Sequence, residues 1–188
     1  MPKKNDAGRP TGDADGMIVT LEGDAIALGE DTLAVVDADL DLVDRGRVII
    51  GTGVIESVAA AEAGPGSRAF ADATTFAEAL GADRVRIKTK EKMILGDDAH
   101  SVSITKIKAF DWAHKDADPK LDYRIKRTEK VDVDDLGLDL DGNLAIAAFD
   151  ADAVGEDTVV GVDAHVVTVE DVLSEVLLTI TAAVDSSV

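Results

Sequence analysis

The chain has no cysteine. A disulfide framework, a thiolate metal site and a cysteine nucleophile are therefore excluded. Aromatic residues make up only 3% of the 188 positions, although 46% are apolar. The core must be built from Val, Ile, Leu and Ala, and a chain this rich in β-branched residues is not intrinsically disordered. No apolar run approaches the 18 or so residues that a spanning helix needs. The opening Met1-Pro2-Lys3-Lys4-Asn5-Asp6 lacks the apolar segment of a signal peptide. The expectation is synthesis in a cytoplasm without export by the general secretory route. Positive charge is scarce as well: 19 Lys and Arg stand against 38 Asp and Glu, for a net charge of −19.

What charge there is has been laid out unevenly. Thirteen of the basic residues fall between Arg84 and Lys130, and none follows Lys130, where 14 acids occur. Asp outnumbers Glu 28 to 10, and there are only 11 Lys. Such a surface repels itself at low ionic strength. At molar salt the Debye length falls to about 3 Å and the repulsion is screened. Short carboxylates, few Lys and a core of small side chains together point to a molar-salt environment.

The length suits one domain. Residues 1–16 have no apolar period and are expected to form a flexible N-terminal arm, with a single β domain over 17–188. From Met17 onward the dominant period is two. Asp37, Asp39 and Asp41 alternate with Ala38, Leu40 and Leu42, which places the carboxylates on one face of a strand. Gly23 and Gly29 are expected to end short strands, and Gly51-Thr52-Gly53 to make a turn or bulge. Residues 59–71 are expected to be a loop. Thr75 and Glu78 have capping-box spacing, which predicts one short helix near 74–80. Arg84-Val85-Arg86-Ile87-Lys88-Thr89-Lys90 alternates with a wholly basic outer face, and Leu121, Tyr123 and Ile125 alternate with Asp122, Arg124 and Lys126. Val131 to Leu140 alternates before Asp141-Gly142, a strong hairpin signal. About eight to ten short strands at this spacing indicate an all-β sandwich or barrel.

No arrangement of residues supports catalysis. Asp139, Asp141 and Asn143 have the spacing of half a calcium loop, but Leu144 stands where that loop needs Gly and Asp150 where it needs Glu. One strand bearing Asp37, Asp39 and Asp41 cannot supply a full set of ligand oxygens. Gly51 and Gly53 lack the third glycine of a dinucleotide fingerprint, since Glu56 occupies its place. His100, His114 and His165 share no ligand spacing. No cofactor and no metal are expected, and the chain is read as non-enzymatic. The basic stretch 84–130 lacks the interleaved aromatics of a nucleic-acid surface, and specific nucleic-acid binding is not expected. It fits electrostatic complementarity instead. The candidate subunit-interface face comprises Arg84, Arg86, Lys88, Lys90, Arg124, Lys126 and Arg127. The acidic surface it meets lies within the fold or on an identical neighbour.

An acidic, cysteine-free, strand-rich chain of this length resembles a viral shell subunit. The resemblance is to the small single-jelly-roll major capsid protein of internal-membrane icosahedral viruses of halophilic archaea. It rests on size, charge, strand density over 17–184, and the polar opening Asn5-Asp6-Ala7-Gly8 to Gly12-Asp13-Ala14-Asp15-Gly16. The resemblance implies a jelly-roll barrel, a place in the virion, and homo-oligomers that also join a second, larger capsid protein over an internal lipid membrane. The alternatives are another virion component, such as a tail-tube or decoration protein, and a cytosolic binding domain of a halophile.

Overall fold

A computed structural model describes residues 16–46, 48–96, 98–112, 142–155 and 157–185. Residues 1–15 of the arm expected over 1–16, and the stretch 113–141, with Arg124, Lys126, Arg127 and His114, lie outside them. The described residues form nine strands in two sheets. One sheet contains β1 (Met17–Leu28), β4 (Phe70–Leu80), β8 (Asp157–Val169) and β9 (Leu173–Asp185) in the order β4-β1-β9-β8. The other contains β2 (Asp31–Asp44), β3 (Val48–Glu62), β5 (Arg84–Ile94), β6 (Asp98–Trp112) and β7 (Asn143–Val154) in the order β5-β6-β3-β2-β7. All neighbours are antiparallel except β2 and β7, which run parallel. The result is an all-β sandwich, consistent with a jelly-roll-like architecture.

Period two explains how the layers close. In β2, Ala38, Leu40 and Leu42 are buried while Asp37, Asp39 and Asp41 are exposed. From the facing sheet, Leu21, Val176, Leu178 and Ile180 complete the core. The alternation predicted for residues 37–42 is therefore the one observed. Its physical cause is simple: every second residue of a strand must face the other sheet.

The predicted helix at 74–80 is corrected to strand. Residues 70–80 form β4, paired with β1 from Ile18↔Leu80 to Leu28↔Phe70. A helix of two turns would pay nucleation for few bonds. The strand gains an unbroken ladder and buries Ala71, Ala73 and Ala77. Thr75, the presumed cap, instead bonds the hydroxyls of Ser103 and Thr105 at 2.7 and 2.8 Å.

Two further expectations are corrected. Gly51-Thr52-Gly53 is no turn but lies inside β3, and Gly23 lies inside β1. These glycines face the core, where there is no room for a side chain. A Cβ on Gly23 would sit 2.5 Å from Val36 Cγ1, and one on Gly51 would sit 2.8 Å from Val19 Cγ2. The strands that these glycines were expected to end therefore run on. The loop expected at 59–71 shrinks to 63–69, between β3 and β4.

Candidate assembly interface

The basic strand predicted at 84–90 is real and sits at an edge. Among the described residues β5 is the last strand of its sheet, and every residue of it is exposed. Arg84, Arg86, Lys88 and Lys90 share its outer face, since each pairs with an outward residue of β6. Sequence reasoning missed Lys106 and Lys108 of β6. They stand opposite Lys88 and Arg86, so the cationic strip is two strands wide.

The same outer face ends in acid at the opposite edge. Successive cross-strand partners run Lys88, Lys106, Val54, Asp39, Asp150 from β5 to β7. The next row runs Arg86, Lys108, Thr52, Asp41, Asp152. One five-stranded face thus carries positive charge at one edge and negative charge at the other. With strands about 4.8 Å apart, the two edges are separated by roughly 19 Å. Within one copy the acidic edge lies in the same sheet as β5, three to four strands away.

Like charges stand directly opposite each other at both edges: Lys88 with Lys106, and Asp39 with Asp150. Such pairs destabilise a sheet. The crowding is visible in Asp39, whose carboxyl is held above its ordinary value of 3.8. Partial burial is the main cause, and Asp41, Asp150, Asp37 and Asp152 add to it. Glu56 is also shifted upward, chiefly by burial and then by Asp37, while Lys106 pulls the other way. The border between the two charged zones runs past that glutamate.

A raised carboxyl pKa has a definite sign. The folded state holds the Asp39 proton more tightly than the unfolded chain does. Stability from this group therefore falls as pH rises from 3.8 through the raised value. Asp39→Asn is expected to stabilise the protein above that window by about 0.5–1 kcal/mol at low ionic strength, or roughly 1–4 °C. The gain should shrink in molar salt and vanish below the window. Thermal melts of both proteins across pH and salt check it.

Apolar side chains rim both edges. On the inner side of β5, Val85, Ile87 and Met93 are 41–51% exposed. On the other side of the sandwich β7 and β8 lie next to each other. There Phe149, Val160, Val162 and Val166, which point toward the interior, are 39–52% exposed. Among the described residues neither sheet extends far enough to cover these positions.

Among the described residues the other polar groupings serve packing. Ser101, Ser103 and Thr105 of β6 line the interior opposite β4, and Thr89 joins them through a 2.7 Å bond to Thr105. The Ser101 hydroxyl accepts a bond from the Ala73 amide at 3.0 Å, and the Ser57 hydroxyl donates to the Thr74 carbonyl at 2.9 Å. These hydroxyls tie the two sheets together at β4, which has no outer strand partner among the described residues. Asn143 is likewise occupied: its amide donates to Thr32 at 2.6 Å and its carbonyl accepts from the Asp171 amide at 2.9 Å. His100 and His165 lie in different sheets. Among the described residues no group of three or more His, Asp or Glu is placed to hold a metal ion. No helix among them is long and apolar enough to cross a membrane. No protein family, curated protein or solved structure matches this chain.

Proposed function

We propose that this protein is a structural subunit that works as one of many copies, in the shell of a virion assembled at high salt. The observation that carries the proposal is the charge-divided outer face, both of whose ends are sheet edges with no further strand among the described residues. An exposed strand edge is a template for pairing with another chain, and the Lys and Arg of β5 restrict which edge can pair with it. Here each edge is flanked by exposed apolar residues, and the two edges have opposite charge. The acidic composition supports a molar-salt setting, because screening removes the cost of the like-charge pairs. The resemblance to small capsid proteins supplies the virion, a larger partner subunit and a nearby lipid membrane. The role proposed is architectural rather than catalytic.

A ring- or tube-forming virion component is the second reading. It is favoured by one observation: both charged edges belong to a single sheet, so copies can add side by side. Light scattering and sedimentation of the purified chain in molar salt are expected to give masses well above one copy. A strict monomer at high concentration overturns the proposal. Electron microscopy separates the two readings, since rings or tubes from the chain alone favour the second and closed shells requiring another protein favour the first.

A further inference from the structure

We infer that β5 of one copy pairs antiparallel with β7 of the next copy, so that the five-stranded sheet continues from subunit to subunit. The register sets Lys88 against Asp150 and Arg86 against Asp152. This inference rests on the assembly role proposed above and names the surface that performs it.

Direction and register both follow from the ladder. Three antiparallel pairings and one parallel pairing separate β5 from β7, so the two edge strands run in opposite directions. A neighbour placed alongside without being turned over therefore presents its β7 antiparallel to β5. Lys88 and Asp150 lie on one row of the sheet, as do Arg86 and Asp152. Setting the rows of two copies level brings these residues opposite each other with no slide along the strands. In that register Arg84–Ile94 meets residues 144–154 along its whole length, so neither strand is left overhanging.

Both faces of the joint are complementary. On the outside, Lys88 and Arg86 each meet a carboxylate, which offsets their like-charge neighbours Lys106 and Lys108, while Arg84, Lys90 and Lys92 stand opposite Val154, Ala148 and Ile146. On the inside, Val85 and Ile87 stand opposite Ala153 and Ala151, with Ile87 diagonal to Phe149, and gain apolar cover. At molar salt, charge acts only at contact distance, so it selects the partner edge while the backbone ladder and apolar rim hold it. Like-edge pairing is disfavoured on the same grounds, since β5 with β5 sets Lys and Arg against each other and β7 with β7 sets Asp against Asp. A head-to-tail contact of this kind closes into a ring or runs on as a filament.

The absence of cysteine makes the test clean. The full chain carrying both Lys88→Cys and Asp150→Cys is oxidised in molar salt and run on a non-reducing gel. Within one copy the two positions are roughly 19 Å apart, beyond the reach of a disulfide, so any bond joins two copies. Paired strands bring Cα atoms to about 4.5–5.5 Å, inside the disulfide range. The expected result is a ladder of covalent multimers, with a cross-linked fraction about tenfold above that of the off-register pair Lys88→Cys with Leu144→Cys. A dimer that forms as readily from Lys88→Cys alone means like edges or a two-fold face contact, and overturns the inference. Monomers on the gel beside multimers by light scattering overturn this joint and leave the assembly role standing. Monomers by both methods overturn both.

Discussion

Transfer from molar to millimolar salt is expected to lower the unfolding temperature by roughly 5–10 °C. The source of the effect is the placement of the carboxylates as well as their number. Asp37, Asp39 and Asp41 lie along one exposed strand face, with Asp150 and Asp152 beside them on a parallel neighbour. A second group stands on the other sheet, where burial and then Glu175 and Asp72 raise the carboxyl of Asp24. Each like-charge contact costs some tenths of a kcal/mol at low ionic strength, so the two groups together account for about 2–3 kcal/mol. For a chain of this size, 1 kcal/mol moves the midpoint by about 2–4 °C. At molar salt the Debye length of about 3 Å is shorter than most of these separations, and the cost disappears. Melts in sodium chloride from millimolar to molar check the prediction. A midpoint that does not move refutes adaptation to salt.

Leu40→Ala is expected to destabilise the protein by about 2–5 kcal/mol, from lost transfer free energy and the cavity left behind. Leu40 is fully buried on the inner face of β2, in an aliphatic core with Leu21, Leu42, Ile55, Leu178 and Ile180. The midpoint should fall by roughly 5–15 °C in molar salt. Urea unfolding should show a lower midpoint with an unchanged slope. Its neighbour Asp39, one residue away and on the opposite face, is expected to respond in the other direction when neutralised. The pair tests the strand assignment: a shift of register by one residue would exchange the two results. A loss under 1 kcal/mol at Leu40 would mean that β2 does not present this face to the core.

The misreadings at glycine and at residues 74–80 share one cause. Local signals were given weight that tertiary contacts override. Gly23 resembles a strand terminator when read along the chain. In space it is the one residue small enough to lie against Val36, Ser57 and Ile55. Thr75 and Glu78 have the spacing of a helix start. The hydroxyl of Thr75 is instead bound to Ser103 and Thr105, 28 and 30 residues away. No local pattern announces such partners. The candidate interface was half legible in the same way. Alternation in residues 84–90 displays the basic face directly. Asp150 and Asp152 also alternate, but nothing local sets them beside Asp39 and Asp41.

Composition and period two by themselves determined that this is an all-β protein with an aliphatic core, an acidic wet surface and one basic strand. Those properties depend only on which residue types alternate, because a strand sorts its side chains by parity alone. The tertiary structure decided how the charged strands are ordered. Parallel pairing of β2 with β7, and the position of β5 at the far edge, separate the two signs across one sheet. Strand order is set by long-range hydrogen bonding and by burial against the facing sheet, neither of which leaves a mark on neighbouring residues in the chain.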